Sequence, residues 1–296
     1  MLYLLPAFIF GTALGSFINM AVYRLNKNQG FGGRSYCDYC KKTLSTTALI
    51  PFFSYFLLKG KSNCCNKKLS KECVFVEFMS GIFIFVISLY FLGYLNSFGV
   101  VPFYSFNKSI LIGYFLFYSS IFVILATIFI YDLKFMVVPM FFVYWGYALV
   151  AAFKIVEYFL YRTYLVNSLS STTLGKYILQ TDYLNNRLNF FIQDNMWSLL
   201  VASGIALFFI FLVFITKGKG MGVGDIFVAP LLSFLLPYPN AVLYVFLSFI
   251  IGGIFGSFLL LFTKAGRKTA VPFVPFLIIG YLFALIFGDA IISLLV

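Results

Sequence analysis

The chain has 296 residues, 62% of them apolar and only 10% charged, with a mean hydropathy of +1.00. A soluble globular chain averages roughly half apolar and about a quarter charged. These proportions exclude a soluble enzyme, a disordered chain and an ordinary nucleic-acid-binding protein, and they specify an all-α polytopic membrane protein. Histidine is absent, which excludes a Ser-His-Asp triad, a Cys-His dyad and any His-bound metal. Acid–base chemistry near neutral pH must then come from carboxylates, Lys, Tyr or Cys.

In chain order, apolar runs predict eight spans, at 2–23, 74–94, 110–131, 136–154, 196–216, 226–237, 240–262 and 270–295. The sixth is short and ends at Pro237, as a half-helix or a tilted crossing would. The opening MLYLLPAFIF has no basic region and no small-residue cleavage site, so it reads as a retained span. Loops after the odd-numbered spans carry sixteen of the 21 cations, ten of them between Arg24 and Lys71, and the other loops carry five. The positive-inside rule places the cation-rich loops in the cytoplasm and both termini outside. Two soluble excursions remain, a cytoplasmic one at 24–73 and an outward one at 155–195 that is rich in Asn, Ser, Thr and Leu. No internal repeat is visible.

Of nine acidic residues, Asp38, Glu72, Glu157, Asp182 and Asp194 fall in predicted loops and read as solvated charge. Asp289 reads as interfacial, and Glu77 as an interfacial anchor or a site residue at the start of the second span. Asp132 and Asp225 remain. Asp132 closes the third span and Asp225 opens the sixth, on the same side and at the same depth. A single ionisable group at a membrane boundary can simply end a helix, but two at one level point to function. Gly220, Gly222 and Gly224 precede Asp225 and let the backbone turn tightly and approach a neighbour. Two carboxylates brought together share a proton, so that one activates water while the other protonates a scissile carbonyl. That is peptide hydrolysis without His, Ser or metal.

YDLKFMVVP around Asp132, GMGVGDIFVAPLLSF around Asp225 and VPFVPFLIIG with Pro272 and Pro275 resemble the type IV prepilin peptidases. These are intramembrane aspartic proteases of the GxGD class. FGTALGSFINMAVYRL resembles that family's opening signature at Gly15, Ser16, Phe17, Asn19 and Arg24, and Glu77 matches an acidic position. The resemblance covers most of the chain apart from 155–195. It implies Asp132 and Asp225 as the catalytic pair, with Gly222 and Gly224 as the supporting turn. It implies prepilins or type II secretion pseudopilins as substrates, a pilus or secretion machine as partner, and the bacterial inner membrane as location, with the aspartates near its cytoplasmic face. It also implies N-methylation of the new N-terminus from S-adenosylmethionine, although no Gly-rich fingerprint for that cofactor is visible. Proteolysis itself implies no cofactor and the chain no nucleic-acid partner. Residues 1–73 are then an N-terminal span plus cysteine region, and 74–296 a membrane-embedded peptidase domain.

All five cysteines, Cys37, Cys40, Cys64, Cys65 and Cys73, lie between the first two spans. A cytoplasmic loop is reducing, which favours metal over disulfide. The family carries two C-x-x-C pairs, whereas here Ser62 stands at the third cysteine position. Cys37, Cys40 and Cys65, completed by Cys64 or Cys73, form a candidate zinc set, and a metal-free loop of thiols is the alternative. The chain also departs from the family at Ala48, Glu72 and Phe227. Two other function classes compete: a transporter using intramembrane aspartates, and a non-catalytic pilus or secretion assembly component. Aspartates at one membrane edge rather than the midplane, and the absence of inverted repeats, argue against transport.

Overall fold

In the computed structural model the described residues are 4–37, 39–45, 50–91, 108–218, 221–262 and 271–295. Asp38, Ala48, Gly220 and the cations Lys219, Lys264, Arg267 and Lys268 lie outside them. The described chain is helical: α1 Leu4–Asn26, α2 Phe53–Leu57, α3 Lys71–Phe91, α4 Lys108–Phe135, α5 Met140–Ser170, α6 Thr173–Ile178, α7 Tyr183–Thr216, α8 Asp225–Phe234, α9 Asn240–Phe262 and α10 Val274–Leu295. Seven of these are long and apolar enough to cross a membrane, and α8 is a shorter apolar helix. The eight expected spans are therefore these seven plus α8. The protein is a multi-pass membrane protein.

The chain forms two compact units, Met1–Ser97 with Tyr118–Thr127, and Phe98–Phe117 with Ile128–Val296. In the first, α1 and α3 pack along a seam of small residues. A Cβ on Gly11 would meet Ser80 O at 2.6 Å, and one on Gly15 would meet Glu77 Cα at 2.6 Å. Only glycine permits this approach, which gives helices in lipid their dispersion contact. Phe83 of α3 stacks on Phe122 of α4, with ring centroids 4.2 Å apart.

In the second unit, α7, α8, α9 and α10 form a helical core in which Phe209, Val228, Leu231, Tyr244 and Leu277 are almost fully buried. Ser248 on α9 lies against Gly280 of α10, where a Cβ would reach its Oγ at 2.2 Å. Asn240 Nδ2 donates to Asp289 Oδ1 at 2.8 Å, so the carboxylate read as interfacial ties α9 to α10.

Two expectations change. The stretch 155–195 is built of helices: α5 runs on to Ser170 and α7 begins at Tyr183, with α6 between them. Its polar residues are spread among apolar ones, so the composition reads as a loop while the helices continue. Glu157 is not solvated. It is 7% exposed, accepts a 2.8 Å hydrogen bond from Tyr114 Oη, and pairs with Lys154 at 3.1 Å. A carboxylate inside a membrane protein needs such partners.

Candidate active site

Asp132 stands on the last turn of α4. The helix stops four residues later at Met136, whose backbone turns left-handed at φ 53°. Val137 and Val138 lead to Pro139, the N-cap of α5. Proline disfavours helix in the residue before it, which separates α4 from α5 here. Asp225 is the first residue of α8. Gly222 N–H donates to Asp225 Oδ2 at 2.9 Å, and Asp225 N–H returns to Gly222 O at 3.1 Å, closing the Gly-x-Gly-Asp turn on itself.

One packing contact joins the two motifs. A Cβ on Gly224 would lie 2.3 Å from Val138 Cγ2. The turn before Asp225 therefore presses directly on the segment after Asp132, and no residue but glycine fits. Asp132 and Asp225 are 4% and 3% exposed, and the Asp132 charge is felt at Asp225. The backbone of Val274, which opens α10, is within hydrogen-bonding reach of the Asp132 carboxylate. A helix N-terminus carries partial positive charge and suits a neighbouring carboxylate. Three helix ends thus converge on a buried carboxylate oxygen, Asp132 Oδ2, that has no hydrogen-bond partner among the described residues.

Sequence reasoning missed what holds α8 in place. Pro230 lies inside that helix and supplies no N–H. Tyr147 Oη donates to Phe227 O at 2.8 Å, and Tyr244 Oη donates to Ala229 O. The proline within a ten-residue span was the available signal that outside donors would be recruited.

The first unit holds the cysteines on two small turns. Antiparallel bridges pair Tyr36 with Thr43 and Lys61 with Lys68. In one turn Cys37 N–H bonds Lys42 O and Lys41 N–H bonds Cys37 O; in the other Ser62 N–H bonds Lys67 O and Asn66 N–H bonds Ser62 O. Lys41 and Asn66 both have φ 58°. The turns are a structural repeat in which Ser62 matches Cys37 and Cys65 matches Cys40. The repeat escaped the sequence reading because three residues of its four-residue core, 37–40 against 62–65, differ.

The Sγ atoms of Cys37, Cys40, Cys64 and Cys65 all lie within 4.8 Å of one another. Cys40 and Cys64 approach to 3.0 Å, Cys37 and Cys65 to 3.7 Å. A tetrahedral thiolate site with metal–sulfur bonds near 2.3 Å has edges of about 3.8 Å, so the four can bind a metal. Cys64, not Cys73, is the fourth member. Ser62 Oγ contacts Cys37 Sγ at 3.4 Å and Cys64 Sγ at 3.1 Å. The Ser62 hydroxyl, helped by the Cys40 and Tyr39 backbone, pulls the Cys37 thiol down to about 6, which favours the ligating thiolate.

The remaining signature residues act as staples. Asn19 Nδ2 donates to Cys73 O at 2.9 Å. The buried Arg24 guanidinium donates to Gly30 O, Gly32 O and Gly33 O at 3.1, 2.6 and 3.2 Å. Glu77 Oε2 accepts the Phe52 N–H at 2.6 Å.

Residues 9–91 match the family model described as Bacterial Peptidase A24 N-terminal domain. The chain is 26% identical over 287 residues to a prepilin leader peptidase/N-methyltransferase of Bacillus subtilis (strain 168), covering 97% of this chain and 95% of that protein. It is 31% identical over 148 residues to the protein of that name from Vibrio cholerae, covering 46% of this chain and 51% of the relative. The like-named protein of Klebsiella pneumoniae is 31% identical over 100 residues, 31% of this chain and 42% of the relative. The chain thus spans about half or less of the last two relatives. No solved structure matches it. The chain is thus similar at its N-terminus to the bacterial peptidase A24 N-terminal domain and, over nearly its full length, to proteins named prepilin leader peptidase/N-methyltransferase.

Proposed function

We propose that the chain is a membrane aspartic endopeptidase that removes the leader peptide of type IV prepilins or secretion pseudopilins, with Asp132 and Asp225 as its catalytic pair. The observation that supports this most is that two buried carboxylates stand on segments joined by Gly224 against Val138, with the charge of Asp132 felt at Asp225. In this reading one carboxylate takes a proton from a water as it attacks the scissile carbonyl, and the other, holding the shared proton, gives it to the carbonyl oxygen. The proton then passes to the leaving amine as the carbon–nitrogen bond breaks. The Gly222 N–H fixes one oxygen of Asp225, and the Val274 end of α10 orients Asp132.

The aspartates face the cytoplasm in this reading, because the cation-rich loops adjoin them, and the membrane is the bacterial cytoplasmic one. A basic leader would lie beside the acidic pair while its apolar stem enters the bilayer. Residues 1–73 form the N-terminal span with the cysteine region, and 74–296 the peptidase domain. Cys37, Cys40, Cys64 and Cys65 would hold a zinc ion whose contribution is to fold the two turns. The relatives' names include N-methyltransferase, and we extend methylation from S-adenosylmethionine to this chain on that basis. Pilus or secretion assemblies are the partners that such products imply.

Purified protein in lipid, given a prepilin, is expected to release the leader. Asp132→Asn and Asp225→Asn are each expected to lose cleavage by several orders of magnitude while keeping helicity. Full turnover in either variant would remove that residue from the mechanism.

A further inference from the structure

The loop between α1 and α3 contains a short apolar segment with an unexpected position. Phe52 stacks on Phe78 of α3 with ring centroids 5.2 Å apart, and meets Phe8 of α1 edge-on at 6.2 Å. Its N–H is taken by Glu77. Glu77 and Phe78 stand six and seven residues into a span that begins at Lys71. At 1.5 Å per residue this is about 9–10 Å inside the end of the span. The chain reaches that depth and returns through α2, whose backbone is internally bonded, while Glu77 satisfies the N–H ahead of it. Backbone entering lipid requires such accounting.

Exposed apolar side chains of the segment fit the same placement. Ile50, Phe53, Phe56 and Leu57 are 44%, 42%, 62% and 72% exposed. In water they would form a costly patch. Between α2 and α3 lies a groove of about 400 Å³, lined by Phe52, Tyr55, Phe56, Val74, Phe75 and Phe78, with Lys71 at its margin. Lys59, Lys61, Lys67 and Lys68 follow in the same loop. An apolar slot with Lys71 in its lining is complementary to a lipid acyl chain beneath an anionic phosphate.

We propose that residues 50–57 re-enter the bilayer as an interfacial hairpin, and that the groove between α2 and α3 seats an anionic phospholipid with its phosphate at Lys71. The proposal requires only that α1 and α3 span a membrane, and it does not depend on the peptidase reading.

The test uses the full chain in proteoliposomes, with Trp145→Phe and Trp197→Phe removing intrinsic signal and a single reporter at Phe56→Trp or Leu57→Trp. Leu57 is exposed and lies outside the groove, so its reporter leaves the site unchanged, whereas the Phe56 reporter keeps an aromatic ring in the groove wall. Lipids brominated near the headgroup end of the acyl chain are expected to quench both reporters, with aqueous iodide nearly without effect. Iodide quenching without bromine quenching would mean a loop in water or under a protein partner, and would overturn the proposal. At equal mole fraction, brominated phosphatidylglycerol is expected to quench more than brominated phosphatidylcholine, with a binding preference of roughly fivefold that Lys71→Glu removes. Equal quenching by the two lipids in the Lys71 protein would overturn the anionic-lipid assignment. Neither readout involves leader cleavage, so failure here and failure of the catalytic assignment are separable.

Discussion

Gly224 shows how one missing side chain can decide a site. Its hydrogen faces Val138 where a methyl carbon would lie 2.3 Å away, so Gly224→Ala forces the Asp225 turn off the Asp132 segment. Overpacking of this kind costs about 1–3 kcal/mol, and cleavage is expected to fall by more than the stability change alone explains, because carboxylate spacing is lost. Val138→Ala in the same chain is expected to restore part of the rate, and leader cleavage by the single and double variants checks it. At this scale the sequence was legible where a residue stands out by type: it singled out Asp132 and Asp225, and the structure buries both. It was illegible where burial decides. Nothing in KIVEYF says that Glu157 finds Tyr114, 43 residues away. Nor does the proline-bearing run before α10 say that the Val274 backbone reaches Asp132.

Among elements, the cysteine turns gave the ligand types but not their count. Ser62 occupies the position that the turn geometry gives to Cys37, and Cys64 lies two residues on, beside Cys40. Spacing alone could not choose between Cys64 and Cys73. The fold does, because Cys73 belongs to α3 and its carbonyl is tied to Asn19. Cys64→Ser is expected to lose bound zinc, whereas Cys73→Ser keeps about one ion per chain, as elemental analysis of the purified protein would show. Replacing Cys37, Cys40, Cys64 and Cys65 together is expected to lower stability and still leave measurable cleavage at saturating substrate. A metal that fixes a loop does not polarise the scissile bond. Helix identities were legible because long apolar runs have few alternatives. Helix ends were not: α5 and α7 continue well past the apolar windows that announced them.

For the whole molecule, the charge asymmetry predicts an orientation that labelling can test. An impermeant thiol reagent applied to intact cells is expected to leave Cys40 and Cys64 unmodified, and permeabilisation is expected to expose them. Labelling from outside would invert the topology and move the aspartates to the other face. The same geometry carries a mechanical implication. Helices α5 and α7 contain 31 and 34 residues, so each is about 46–51 Å long against a hydrocarbon core near 30 Å. Helix α5 starts beside Asp132 and α7 ends shortly before Asp225, so their surplus length lies beyond the opposite face. There Tyr161 stacks on Phe191 at 5.2 Å, bracing the two. A crossing along the membrane normal would leave a stiff post of roughly 15–20 Å, capped by the short α6, outside the lipid. Any wall, coat or neighbouring assembly on that side must keep at least that clearance or leave a gap for it.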